Sequence, residues 1–90
     1  MWRGAIVRSK CGRDRYRVFA VVDVCDDGCV LIANGELHKL ESPKKKNIRH
    51  LTVLAAEGAA LTSLCTGNDR ALAEFLREFE ENYESITEKS

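Results

Sequence analysis

Residues 18–35, with the sequence VFAVVDVCDDGCVLIANG, decide the fold that we expect for this chain. Apolar side chains occupy residues 18–22 without a break, and in an extended chain they point alternately to opposite sides. We therefore predict a strand at residues 18–24 with both faces at least half covered. The Asp26-Asp27-Gly28 segment predicts a turn, and a second strand follows it at residues 29–33.

Further short strands are expected on either side of this pair. Residues 5–7 are predicted to form the first strand of the chain. Asn34-Gly35 is typical of a type I′ hairpin turn, so residues 36–40 are predicted to form the return strand, which Pro43 ends. Together, about five short strands within residues 3–54 predict a small, closed, SH3-like β-barrel. The fold class is therefore mainly β with an α appendage.

The spacing of apolar residues is different in the second half of the chain. Its apolar residues recur at helical spacing, at Leu72, Phe75, Leu76, Phe79 and Tyr83. This stripe predicts a helix from about Gly67 or Asp69 to about Tyr83. Thr66 can begin a capping box, or Asn68 alone can cap the helix.

A domain division follows from the change of period. Residues 1–54 are predicted to form the barrel, and residues 55–90 a helical C-terminal extension that packs on the barrel or on a partner. Within the extension, residues 55–65 allow a short first helix, which Gly58 weakens.

Charge divides the chain at the same place. Residues 1–54 carry 11 Lys and Arg against 6 Asp and Glu, whereas residues 55–90 carry 3 against 8. The two halves cancel to a formal net charge of zero. A basic front half suits a polyanionic partner such as RNA or DNA. The acidic half either is a solvated helix face or pairs with a basic protein surface.

Two short segments concentrate the positive charge. The first lies between the first two predicted strands and contains Arg8, Lys10, Gly12, Arg13, Arg15 and Arg17. The second, PKKKNIRHL at residues 43–51, is expected to hold Ile48 and Leu51 in the core as the anchors of a last short strand or turn. We expect the cations of both segments to converge on one rim: Arg8, Lys10, Arg13 and Arg15 of the first, and Lys44, Lys45, Lys46 and Arg49 of the second. The four cations of the second segment are expected to project to one side, beside Arg13 and Arg15. Such a rim binds phosphates without needing a deep pocket, although basic residues can also merely solubilise a small domain.

The order of these features resembles the KOW motif, a strand, a glycine-centred loop and a strand found in ribosomal proteins and transcription factors. The residues that carry the resemblance are Gly4-Ala5-Ile6-Val7, Ser9, Gly12-Arg13-Asp14, residues 18–24, Val30-Leu31-Ile32 and residues 43–51. The last two look like the matching regions of the archaeal and eukaryotic large-subunit ribosomal protein "fourteen-e" and its short bacterial relatives. The resemblance covers about residues 3–54, and it departs at Tyr16, where many KOW sequences have a second small residue.

The resemblance implies an SH3-like barrel and a non-catalytic protein of the ribosome or of translation that contacts structured RNA, with ribosomal RNA as the first candidate. The resemblance and the charge pattern together indicate the RNA-binding residues Arg8, Lys10, Gly12, Arg13, Arg15, Lys44, Lys45, Lys46, Arg49 and His50. The acidic helix is a candidate contact for ribosomal proteins. The competing hypothesis is an SH3-like protein-interaction module whose acidic C-terminal helix docks a translation or transcription factor.

The sequence leaves two interpretations open for each of four residues. Gly12 either lets a phosphate approach the backbone or supplies a turn with positive φ. Tyr16 and Trp2 either stack on bases or pack against the protein, Trp2 over the end of the barrel. His50 either contacts a phosphate or a 2′-hydroxyl, or makes a structural hydrogen bond.

No group of residues indicates catalysis, a cofactor or a metal site, and His38 is assigned no chemistry. The cysteines are Cys11, Cys25, Cys29 and Cys65, of which the first is read as a loop thiol and the last as a small hydrophobe. A single CxxxC pair is a poor zinc-ligand set. The start of the chain reads as a strand and not as a signal peptide, and no apolar run approaches the ~20 residues of a membrane span. We therefore expect a cytoplasmic monomer or weak dimer with reduced thiols and no membrane contact.

Overall fold

The computed structural model of the chain describes residues 2–13 and 15–88, which form a five-stranded antiparallel sheet followed by two helices. The elements, in chain order, are β1 (Ile6–Ser9), β2 (Val18–Val24), β3 (Cys29–Ala33), β4 (Lys44–Asn47), a 3₁₀ turn (Ile48–His50), β5 (Leu51–Ala55), α1 (Leu61–Thr66) and α2 (Asp69–Glu88). The prediction of a mainly β chain with C-terminal helices is confirmed. Asp14, which belongs to the predicted glycine-loop motif, lies outside the described residues.

The sheet has the strand order β4-β3-β2-β1-β5, and both of its faces are buried, as the alternation in β2 predicts. The face that we call the helix face packs against the C-terminal half and buries Ile6, Val18, Ala20, Ala33, Ala60, Leu72 and Leu76. The other face, which we call the opposite face, buries Ala5, Val7, Phe19, Val21, Val30, Ile32 and Leu51. Trp2 and Ile48 pack against this second cluster, so the packing interpretation of Trp2 and the anchoring expected of Ile48 and Leu51 are confirmed.

The helix α2 begins where the sequence predicts and lies on the helix face. Asn68 caps it alone, because its side-chain oxygen accepts from the backbone N–H groups of Arg70 and Ala71 at 2.9 and 3.2 Å. Thr66 instead donates its hydroxyl to the carbonyl of Ser63 inside α1, at 2.7 Å. Leu72 and Leu76 of the stripe are buried. Within the described residues, neither helix combines the length and apolar character needed to cross a membrane.

Residues 36–40 do not form the predicted return strand; residues 34–43 are a loop. Asn34 does not adopt the positive φ of a type I′ turn. Its side-chain oxygen instead accepts from the backbone N–H groups of Glu36 and His38, at 3.0 and 3.2 Å. The N–H of Leu40 donates to the side chain of Asp69 in α2, at 2.7 Å. Side chains therefore bond the backbone donors that a strand ladder would use.

The strand that pairs with β3 on its outer side is β4, and it lies within the lysine-rich segment. Its Lys44 pairs with Ile32 and its Lys46 with Val30, in antiparallel register. Pro43 therefore precedes a strand and does not end one. Both features suit an edge strand, because proline cannot donate to a ladder and lysines discourage further strand pairing.

The paired strands do not close into a barrel: β4 and β5 are the two edges of the sheet. The 3₁₀ turn carries the chain from one edge to the other. At its start, the N–H of Ile48 donates to the carbonyl of Gly28, at 3.2 Å. At its end, the carbonyl of His50 accepts from the N–H of Lys10, at 2.8 Å. The sheet is therefore open and not closed as expected, and its relation to an SH3-like barrel stays a prediction.

Replacing Leu72 by alanine tests the packing of α2. Leu72 is fully buried, so Leu72→Ala should lower the free energy of unfolding by about 2–5 kcal/mol. Leu61, which is 43% exposed in α1, is the matched control, and Leu61→Ala should cost about 1 kcal/mol or less. Urea titration measures both values. An unchanged midpoint for Leu72→Ala would show that α2 does not pack on the sheet in solution.

Two glycines with the same backbone angle test how tightly the loop of residues 34–43 is held by α2. Gly28 and Gly35 have φ values of +79° and +78°. A Cβ atom at Gly28 would meet nothing within 4 Å, whereas one at Gly35 would overlap the carbonyl oxygen of Asp69.

Gly28→Ala should therefore cost only the left-handed backbone, about 1–2 kcal/mol. Gly35→Ala should cost a further ~1–3 kcal/mol, because the loop or the start of α2 must shift. Thermal and urea unfolding measure the difference between the two variants. Equal losses would mean that the loop does not press on α2.

Candidate nucleic-acid interface

The first basic segment forms a narrow loop, residues 10–17, between β1 and β2. The N–H of Tyr16 donates to the carbonyl of Ser9 at 2.8 Å, and the N–H of Ser9 donates to the carbonyl of Arg17 at 3.0 Å. The loop therefore leaves and rejoins the sheet at one point. Gly12 has φ 89°, as its turn interpretation requires. Arg13 and Arg15 are exposed on this loop.

Tyr16 has an unusual backbone for a residue with a side chain. Its φ is 72°, and it is the one non-glycine residue with positive φ in the described part of the chain. Glycine adopts this angle without strain, whereas a residue with a Cβ atom adopts it at a cost. The ring is 69% exposed, and the guanidinium carbon of Arg15 lies 5.2 Å from its centroid.

The second basic segment does not project its lysines to one side, so that expectation was wrong. Because β4 is a strand, its side chains alternate between the two faces of the sheet. Lys44 and Lys46 lie on the opposite face, across from Ile32 and Val30, whereas Lys45 lies across from Leu31 on the helix face.

Lys46 is buried, with 9% exposure, although the sequence analysis expected it to project. Its ammonium donates to the backbone carbonyl of Cys11 at 3.1 Å, and the buried hydroxyl of Ser9 donates to the same oxygen at 2.9 Å. Together with the bond between Lys10 and His50, this contact fastens the loop of residues 10–17 to the second basic segment. Lys46 is therefore a residue that holds the two segments together.

Lys45 is paired with a carboxylate. Its ammonium lies 2.7 Å from a carboxylate oxygen of Asp27, in the turn between β2 and β3. This hydrogen bond raises the pKa of Lys45 and lowers that of Asp27, so both groups are charged at neutral pH. The positive charge of Lys45 is thus balanced locally.

Arg8 is half-buried and lies away from the other predicted contacts. Like Ile6, two residues earlier in β1, it lies on the helix face. Its guanidinium is 4.0 Å from a carboxylate oxygen of Glu80, and its central carbon is 5.9 Å from the ring centroid of Tyr83. Arg8 therefore connects the sheet to α2.

Some of the predicted RNA-binding cations are exposed on the two basic segments that Lys46 joins. We call this set the basic rim, and it comprises Lys10, Arg13, Arg15, Lys44 and Arg49. Gly12 and His50 are exposed on the same segments. Arg13 and Lys44, which are far apart in sequence, line one cavity of about 240 Å³.

The same cavity is lined by two residues that the sequence analysis missed, Leu37 and His38. Leu37 is 50% exposed, and the His38 ring stacks on the buried Phe19 ring with 5.6 Å between the centroids. Both residues were read as part of a return strand, so the sequence offered no signal that they join the basic segments.

The cysteines lie in the loop of residues 10–17, on either side of the turn between β2 and β3, and in α1. All four cysteines are free thiols, and Cys65, which was read as a small hydrophobe, is exposed on α1. Cys25 and Cys29 lie across the turn between β2 and β3, where burial raises the pKa of the Cys29 thiol. Within residues 2–13 and 15–88, no three His, Cys, Asp or Glu side chains cluster as metal ligands would.

Comparisons with known proteins do not identify a family: no protein-family model matches the chain, and no curated protein matches it. The resemblance to the KOW motif therefore rests on the residues quoted above.

Lys44 and Lys46 are a matched pair for testing the buried ammonium, since they share a strand and a face. Lys46→Ala should lower the free energy of unfolding by about 1.5–3 kcal/mol, because it removes a charged hydrogen bond in the interior. Lys44→Ala should change it by about 0.5 kcal/mol or less. Urea unfolding measures the free energy of unfolding of both variants. If both behave like the parent, Lys46 does not fasten the loop.

Proposed function

We propose that this chain is a non-catalytic RNA-binding protein that contacts structured RNA, ribosomal RNA above all, through the basic rim. The observation that supports this most is the direct contact between the two basic segments. The bond from Lys46 to Cys11 joins residues 35 positions apart in the sequence, so the cations on both segments belong to one surface. A surface of this kind matches the spaced phosphates of a nucleic-acid backbone.

The pairing of charges also distinguishes the rim from most other basic residues that the structure describes. Arg3, Lys45 and Arg77 each hold a carboxylate within 2.7 Å. Among residues 2–13 and 15–88, no rim cation makes an ion pair. An unpaired cation is available to neutralise a phosphate, and the counterions that the nucleic acid then releases to solution drive binding.

The resemblance to the KOW motif supports RNA in particular, and it supports a place in translation or on the ribosome, in the cytoplasm. We further propose that the sheet is a variant of the SH3-like barrel. The strand order and the 3₁₀ turn, which runs from one sheet edge to the other, support this reading.

The alternative is a protein-interaction module that uses the acidic helix. The apolar stripe of α2 lies on the sheet, so a partner protein would meet its outer face. That face presents the exposed carboxylates Glu74, Glu78 and Glu81. A basic protein surface suits this face, and substitution of these residues separates the two hypotheses.

Salt dependence tests the phosphate contacts. If about four rim cations each neutralise one phosphate, the affinity for a structured RNA should fall with a log–log slope of about −3 to −4. Arg13→Ala combined with Lys44→Ala should weaken binding by about tenfold near physiological salt and make the slope shallower by about 2. Fluorescence anisotropy at several salt concentrations measures both quantities.

Arg3→Ala is the control for loss of an arginine. Arg3 is 62% exposed and precedes β1, whereas the loop of residues 10–17 follows it, so the variant should bind RNA like the parent. An RNA affinity that does not change with salt concentration would show that phosphate contacts do not drive binding. If the double variant binds RNA normally while Glu74→Ala, Glu78→Ala and Glu81→Ala together abolish binding to a protein, the interaction module is correct.

A further inference from the structure

The cavity beside the basic rim has one apolar wall and one basic wall. Leu37 and His38 come from the loop of residues 34–43, Arg13 comes from the loop of residues 10–17, and Lys44 comes from β4. At about 240 Å³ it is smaller than the ~300–1,000 Å³ of typical small-molecule sites. It suits one flat ring with a charged group attached, and not a cofactor.

The apolar wall is held rigidly although it lies in a loop. The His38 ring stacks on Phe19, which is fully buried, with an angle of 29° between the rings. The carbonyl of His38 accepts from the N–H groups of Asn34 and Gly35, at 2.8 and 3.1 Å. Two residues further on, the N–H of Leu40 is bonded to Asp69 at the start of α2. The wall is therefore formed before any ligand arrives, which lowers the entropic cost of binding.

Leu37 gives the cavity an apolar surface next to its cations. It is an apolar side chain, half exposed, beside two exposed cations. A duplex backbone offers such a side chain nothing, since it presents phosphates and hydroxyls. An unpaired nucleotide offers both partners at once, an apolar base face for Leu37 and His38 and a phosphate for Arg13 and Lys44.

We propose that this cavity binds one unpaired nucleotide of the RNA, with the base against Leu37 and His38 and its phosphate at Arg13 and Lys44. This inference rests on the proposed function and narrows it. The preferred ligand is an RNA that presents a bulged or looped-out base, and a continuous RNA duplex binds the basic rim alone.

Two RNA hairpins test the inference, one fully paired and one with a single unpaired adenosine in its stem. The parent protein should bind the bulged hairpin about tenfold more tightly, which is the contribution of one stacked base. Leu37→Ser should remove this preference and leave both the affinity for the paired hairpin and the salt slope unchanged. Leu61→Ser replaces a leucine of similar exposure outside the cavity and should keep the preference.

Placing 2-aminopurine at the unpaired position gives a second readout. Its fluorescence should change when the parent protein binds, and the change should be lost in Leu37→Ser. Circular dichroism verifies that the variant is folded.

The outcomes separate this inference from the proposed function. If the parent binds both hairpins equally, with the expected salt slope, the cavity holds no base and the proposed function stands. If Leu37→Ser keeps the preference and the fluorescence change, the base binds elsewhere and the inference is wrong. If neither hairpin binds in a salt-dependent manner, the proposed function fails as well.

Discussion

A sheet of only five strands with two apolar faces must be covered on both sides, and most of the structure follows from this constraint. On one side α2 lays Leu72 and Leu76 against the sheet. No helix among the described residues covers the other side of the sheet, so that side is covered by side chains from the segments around its edge. Trp2 and Ile48 pack against its cluster, and the His38 ring lies on Phe19. The 3₁₀ turn that places Ile48 on this cluster also carries Arg49, one cation of the basic rim.

Lys46, whose side chain is largely buried, shows how the loop of residues 10–17 and β4 are joined. An isolated buried charge is costly, so a lysine in this position needs a strong acceptor. The carbonyl of Cys11, which also accepts from Ser9, is such an acceptor. A hydrophobic residue of similar size would fill the space but would not fix the loop of residues 10–17 relative to β4. The basic rim depends on this contact, since its cations are divided between the two segments.

The sequence predicts an element well where the cause of the element is local. The alternation in β2, the apolar stripe of α2 and the cap at Asn68 all act within a few residues, and all were predicted. The return strand failed because its hydrogen bonds depend on distant residues. The side chain of Asp69 accepts from the N–H of Leu40. The guanidinium of Arg77 donates to the carboxylate of Glu36, 41 residues away, at 2.6 Å. An Asn-Gly pair cannot reveal that a helix will compete for the strand that follows it.

The candidate site was predicted in the same uneven way. The charge pattern and the resemblance placed Arg13 and Lys44 among the candidates. They could not separate Lys44 from Lys46, because the alternation in β4 was hidden inside an apparent loop. The missed residues, Leu37 and His38, enter the site only through the path of the loop of residues 34–43.

Two residues that break local rules lie in the segments that form the basic rim. Lys46 is a buried lysine, and Tyr16 has a left-handed backbone. Exposed apolar side chains do not share this location, since Val24, Val53 and Leu61 are exposed to a similar degree as Leu37. Lys46 and Tyr16 both shape the two basic segments, and such conflicts are expected where something besides folding selects the residue.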